Sequence, residues 1–171
     1  MILRPLFIAP FFTAMLWLAA APAFAQSPQP ISAFKDWTAY TVKEKGGLAC
    51  YMASQPKASR PDGVKRGQIW ALVTHRPYKK VKDEVSIYVG YPFEQGSEAV
   101  ADIDGKKYSL FTNEETAWAA SAELDGKLVQ AMRRGAKLTL HGVSQRGTKT
   151  ADTYSLSGFT AAHNAITKAC K

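Results

Sequence analysis

Three polar side chains near the end of the chain have the types a serine hydrolase needs: Ser144 in Gly142-Val143-Ser144-Gln145-Arg146, His141 just before it, and Asp152 after it. The pentapeptide approaches the Gly-x-Ser-x-Gly elbow but lacks the last glycine, and it falls at an expected hairpin rather than on a strand-to-helix turn. On a strand, residues three apart point to opposite faces, which separates His141 from Ser144. The expectation is that Ser144 and Asp152 are turn-forming side chains that bond nearby backbone. A hydrolase built on Ser144, His141 and Asp152 remains the enzymatic alternative, and the chain is otherwise read as a non-enzyme with no catalytic residues.

Metal and nucleotide chemistry find less support. His75, His141 and His163 show no H-E-x-x-H or comparable spacing and no accompanying carboxylate cluster, so no metal site is expected. Asp102, Asp104, Glu114 and Glu115 read as solvated acids. No G-x-G-x-x-G or P-loop segment occurs, and no cofactor is expected.

Charge and aromatic side chains offer binding chemistry instead. The 171 residues carry a formal net charge of +8, which favours anionic partners. The densest cationic run is Arg76-Pro77-Tyr78-Lys79-Lys80-Val81-Lys82, and Arg76, Tyr78, Lys79, Lys80 and Lys82 are its candidate contacts. Tyr91 and Phe93 stand on Gly90-Tyr91-Pro92-Phe93, where a strand ends and two rings are presented on a loop, as a recognition surface or as a plug of the core.

Compartment limits the choice of anion. Arg4, an apolar run from Leu6 to Ala21 broken by Pro10, and Ala23-Phe24-Ala25 have the pattern of a secretory signal peptide over residues 1–25, cleaved after Ala25. The remaining 146 residues, charge +7, contain no apolar segment long enough to cross a bilayer. Export to the periplasm or outer envelope makes nucleic acid an improbable partner. Lipopolysaccharide, lipid headgroups and anionic glycans are the anions met there, beside other envelope proteins. Cys50 and Cys170 are an even pair in an oxidising compartment, so one disulfide is expected. Closing so long a loop contributes up to about 4–5 kcal/mol in the chain-entropy model.

The elements that must position these residues are mostly strands. Residues 26–33 read as a flexible, proline-containing leader, and 34–171 as one domain. Lys45-Gly46-Gly47 separates two β-prone runs, 37–42 and 48–54, as in a hairpin with Cys50 on its second strand. Residues 55–67 hold Pro56, Pro61 and Asp62-Gly63 and read as an exposed loop. Ile69–Val73 is apolar on both faces, whereas Val85, Ile87 and Val89 alternate with polar neighbours, a combination that two sheets packed face to face satisfy. Asp104-Gly105 predicts a type I′ hairpin between 99–103 and 106–111, and Gly147-Thr148 a turn between 137–143 and 150–156. Two helices interrupt the pattern. One starts at Asp125 as N-cap and stops at Gly135; the other runs over 160–169, with Phe159, Ala162, Ile166 and Cys170 on one stripe.

Taken in order, Phe34-Lys35-Asp36-Trp37, Cys50-Tyr51, Gly90 to Phe93, Ala117-Trp118-Ala119, and Ser144 to Thr148 followed by Asp152, Tyr154-Ser155-Leu156 and Gly158-Phe159 resemble the invasion-associated locus B family of bacterial envelope proteins. The resemblance implies a mainly β fold, an immunoglobulin-like antiparallel β-sandwich here carrying two short packed helices. It also implies a periplasmic or outer-envelope protein, linked in some pathogens to host-cell entry, with no catalytic residues to carry over. A role in envelope maintenance without a host is the alternative. Some members have a further cysteine just after the tryptophan of the first block; Ala39-Tyr40-Thr41 has none.

Overall fold

The computed structural model describes residues 27–171, so the signal-peptide reading of 1–25 and Gln26 lie outside the described residues. Among the described residues, eleven antiparallel strands form one continuous ladder. In chain order they are β1 (Gln29–Phe34), β2 (Trp37–Glu44), β3 (Gly47–Ser54), β4 (Ala58–Arg60), β5 (Trp70–Arg76), β6 (Val81–Tyr88), β7 (Glu98–Ile103), β8 (Lys106–Asn113), β9 (Thr116–Trp118), β10 (Lys137–Val143) and β11 (Lys149–Ser155). Helix α1 (Ala122–Arg134) lies between β9 and β10, and α2 (Phe159–Ala169) closes the fold.

The hydrogen-bonded order is β1-β2-β3-β5-β6-β9-β8-β7-β10-β11-β4. Only three residues separate β3, deep in one half, from β4 at the far edge of the other, so the sheet curls back on itself. Trp37 Nε1 donates to Ser155 O at 2.9 Å, and Lys57 N to Thr153 O at 2.7 Å, joining the two halves directly. The mainly β architecture expected from the sequence is present and is consistent with a sandwich whose two halves share one ladder.

Burial follows the alternation. Trp37, Met52, Val73, Ile87, Leu110, Leu138, Leu140, Tyr154, Phe159 and Ile166 point into the core and are essentially inaccessible. Trp37 meets Phe159 edge to face, with ring centroids 4.9 Å apart, so the apolar stripe of α2 seats on the first strand of the core. Cys50 and Cys170 are bonded, Cα to Cα 5.9 Å, and staple the end of that helix to β3 as expected. Asp104 (φ 49) and Gly105 (φ 92) both adopt the positive φ that the type I′ turn demands.

Three local expectations change. Residues 29–33, read as part of a flexible leader, pair together with Phe34 along β2, from Gln29↔Thr41 to Phe34↔Trp37, because the edge of β2 offers unpaired backbone groups. The short strand β4 forms inside the expected 55–67 loop. Helix α1 starts one turn earlier than its charge pattern indicated: Ser121 is the N-cap, its Oγ accepting from Leu124 N at 3.2 Å. Asp125 instead lies inside the helix, nine-tenths buried. β9 reaches only to Ser86 on β6, and the next amide, Val85 N, donates to Asp125 Oδ1 at 2.8 Å. Burial first, then the nearby charges of Glu84 and Asp83, push the Asp125 carboxyl up to about 6, against the opposing effect of that hydrogen bond.

Candidate functional site: two cationic ends and a buried histidine pair

The run 76–82 spans the end of β5, the start of β6 and the link between them, a single 3-10 turn at Pro77–Lys79 that ends with Lys80 in the left-handed region. Arg76 does not reach solvent as a free cation. Its guanidinium bonds Glu44 at 3.2 Å and Glu84 at 2.5 Å. The Tyr78 hydroxyl donates to Glu44 as well, and this bond first, then Arg76, holds the Glu44 carboxyl below its usual range against the opposing effect of burial. The Tyr78 ring covers Gly46 and Gly47; a Cβ at Gly46 would collide with it, and one at Gly47 would press against it at 3.2 Å. That packing brings the β2–β3 turn, with Lys43 and Lys45, to the same end as Lys79, Lys80 and Lys82. All five lysines are exposed, and none forms an ion pair among the described residues. Leu48, 40% exposed, stands beside them.

Tyr91 and Phe93 lie at the opposite end of β5 and β6. Phe93 is buried and bridges Ser144, while Gln145 N donates to Pro92 O at 2.8 Å and Glu94 N to Val143 O at 3.0 Å. The segments 90–94 and 143–148, fifty residues apart, are thereby sewn together. A third segment joins them: Gly67 N donates to Gly90 O at 2.8 Å, and Gly90 (φ +70) has no room for a side chain, since a Cβ would lie 2.6 Å from the Gly67 backbone. Between the three segments opens a cleft of about 340 Å³.

The wall of that cleft explains Ser144. Its Oγ accepts from Thr148 N at 3.2 Å and its backbone closes the 144–148 turn, which is the turn-forming role expected of it. Asp152 behaves differently from the expectation. Rather than bonding local backbone, it is fully buried on β11 and holds Arg66 in a two-point pair, Arg66 Nη1 to Oδ2 at 3.0 Å and Nη2 to Oδ1. Arg66 comes from the loop read as exposed, yet its side chain is only 7% accessible. It lies over the Tyr91 ring at 5.7 Å, and the Tyr91 hydroxyl bonds Thr150 Oγ1. His141 is exposed on β10, and no hydrogen bond joins it to Ser144 or Asp152 among the described residues.

The histidines, apart in sequence, are brought to a carboxylate by the fold. His75, Asp83 and His163 place one donor atom each within 4.8 Å of the others. The partners define the protonation pattern. Arg133 can only donate, so His163 Nδ1, 2.8 Å from Arg133 Nη1, accepts, and His163 Nε2 carries the proton that Asp83 Oδ1 receives at 2.7 Å. His75 Nδ1 accepts from Asp83 N at 3.0 Å, leaving Nε2 to donate to Thr167 Oγ1 at 3.1 Å. Every ring nitrogen is engaged. A metal ion could take both rings only after Arg133 and the Asp83 amide had given up their contacts, since a ligating histidine needs its second nitrogen as a donor. The cluster acts as a hydrogen-bonded latch between α2, β5 and β6. Burial lowers the His75 pKa; the carboxyl of Asp83, raised by burial, is carried below its usual value by His163 and His75.

With this geometry in place, comparison with known proteins is informative on one point. Residues 37–167 match the family model described as invasion associated locus B (IalB) protein. The chain belongs to that family. The match takes in β2 through most of α2, and so includes the Tyr91 loop, the 144–148 turn and the histidine latch. No curated protein and no solved structure matches the chain. Among the described residues, no helix is long and apolar enough to cross a membrane.

The basic run and the Tyr91 loop were legible as candidates, but Lys45, Arg66 and the Asp152 pairing were not. Lys45 joins the lysines only because Tyr78 packs on Gly46 and Gly47. The spacing of Arg66 to Asp152, 86 residues, carries no local signal.

Proposed function

We propose that the mature chain is a non-enzymatic IalB-family protein of the periplasm or outer envelope that docks on a phosphate- or carboxylate-bearing partner, such as lipopolysaccharide, anionic lipid headgroups or an anionic host glycan. The observation that carries this reading is the gathering of Lys43, Lys45, Lys79, Lys80 and Lys82 at one end, exposed and without acid partners among the described residues. Arg76 and Tyr78 serve that end as scaffold, since Glu44 and Glu84 hold them. Unpaired lysines on short turns raise the local anion concentration and speed encounter with charged surfaces, an effect that falls with salt. The proposed export rests on the signal-peptide pattern and on a disulfide that suits an oxidising compartment. A link to host-cell invasion comes from the family's name; envelope maintenance uses the same surface chemistry.

The test is co-sedimentation of the oxidised protein with vesicles of neutral lipid, with or without anionic lipid or lipopolysaccharide, at low and moderate salt. Binding to the anionic vesicles that Lys79→Glu, Lys80→Glu and Lys82→Glu together abolish is the expected result. Binding that the triple reversal leaves intact would refute it.

A further inference from the structure

At the end of the fold away from the lysine-rich turns, we infer that the cleft between residues 64–66, 90–92 and 144–150 is a binding site for a monosaccharide-sized sugar carrying a carboxylate or phosphate. This goes beyond the docking role and uses different residues.

Shape is the first argument. The cleft encloses about 340 Å³, within the range of small-ligand pockets. It is held open by backbone rather than by movable side chains: the Gly67–Gly90 approach fixes one wall, and the bonds from Gln145 to Pro92 and from Glu94 to Val143 fix another. Such a site loses little freedom when a ligand enters.

The second argument is the floor. Arg66 uses two of its five N–H groups on Asp152 and makes no other hydrogen bond among the described residues. Its guanidinium is clamped by that pair below and by the Tyr91 ring alongside, so its remaining donors are oriented before anything binds. A guanidinium whose charge is already balanced suits hydroxyl oxygens better than a lone anion. Tyr91, in turn, is fixed by its bond to Thr150.

The rim supplies the charge. Lys65 and Arg146 are exposed, belong to the lining, and form no ion pair among the described residues. None of the described lining residues is acidic. Val64 and Pro92 add apolar surface beside the polar groups of Gln145 and Thr148. A pyranose ring presents that mixture: a C–H face for the apolar wall, hydroxyls for Arg66, Gln145 and Thr148, and an acidic substituent for Lys65 and Arg146.

Amide chemical-shift titrations of the ¹⁵N-labelled mature protein with galacturonate, glucose 6-phosphate, galactose and inorganic phosphate test this. The expected result is saturable shifts confined to 64–67, 90–94 and 143–150 with one or both acidic sugars, at least about tenfold weaker with galactose and with phosphate alone. The double variant Lys65→Glu, Arg146→Glu, which leaves the buried floor untouched, is expected to weaken the acidic sugar by tenfold or more while its spectrum keeps the native dispersion. Response to galacturonate alone identifies a carboxylate ligand, and response to glucose 6-phosphate alone a phosphate ligand. The inference is overturned if neither acidic sugar shifts these amides, if galactose or inorganic phosphate binds equally well, or if the double variant binds like the parent. Vesicle binding is read separately, so loss of one site leaves the other measurable.

Discussion

Cations sit at both ends of the β5–β6 pair, but in different settings. At the Pro77–Lys79 turn they come from the β5–β6 link and the β2–β3 turn packed beside it, protrude into solvent, and surround an ion network of Arg76, Glu44 and Glu84 in which each side chain remains about a quarter exposed or more. At the Gly90 end they come from two distant segments, 64–66 and 144–150, and frame a cleft whose own ion pair, Arg66 with Asp152, is almost wholly buried. The same chemical groups therefore do different things. In the exposed network, water competes for every charge and the net stabilisation is small. In the buried pair each partner prevents the other from being an uncompensated charge in the core.

That difference can be broken most severely at Asp152. Asp152→Ala strands the Arg66 guanidinium, and a loss of about 3–5 kcal/mol in urea unfolding is expected. Next comes Gly90→Ala, which sets a Cβ against the Gly67 backbone at a φ of +70°. It is expected to cost about 1–3 kcal/mol and to abolish binding in the cleft while vesicle binding persists.

Asp125 sharpens the comparison from another side, as a buried carboxylate with one amide donor and no paired cation among the described residues. Its folded pKa of about 6 lies above the usual carboxylate value, so the stability it contributes is fully present below about pH 4 and is lost as pH rises through 6. His75 has the opposite sign: its lowered pKa favours folding above the ordinary histidine range and is lost on acidification. Asp125→Asn isolates the first effect. The variant is expected to gain about 1–2 kcal/mol over the parent at pH 7, and the gain to vanish by pH 4, in paired denaturant curves.

At the exposed network, Glu44→Ala is expected to cost no more than about 1 kcal/mol in the same assay. The smallest effect belongs to Tyr154, whose buried hydroxyl has no hydrogen-bond partner among the described residues. Tyr154→Phe is expected to leave the melting midpoint unchanged or slightly raised, because no bond is lost with the hydroxyl.

How far the sequence could be read follows the same division. Local signals were sufficient where neighbours decide the structure: Asp104-Gly105 at its turn and the 159–166 stripe that seats α2. They failed where a distant partner decides. Asp125 looks like a cap because it precedes an amphipathic run, yet the unpaired Val85 amide draws it inside. Arg66 sits among prolines and glycines that read as loop, and only the curling of the sheet brings β11 beneath it. The histidine latch was invisible for the same reason, since Asp83 meets His163 across 80 residues. The sparse polar loop, rather than the dense basic run, thus became the better-shaped site.

The most direct measurement of the docking claim is vesicle co-sedimentation of the mature oxidised protein with two charge-reversal sets compared side by side, Lys79, Lys80 and Lys82 against Lys65 and Arg146. The account predicts salt-sensitive binding to anionic vesicles that the first set abolishes and the second leaves nearly intact. Equal losses from both sets, or full binding after reversal of the three lysines, would contradict it.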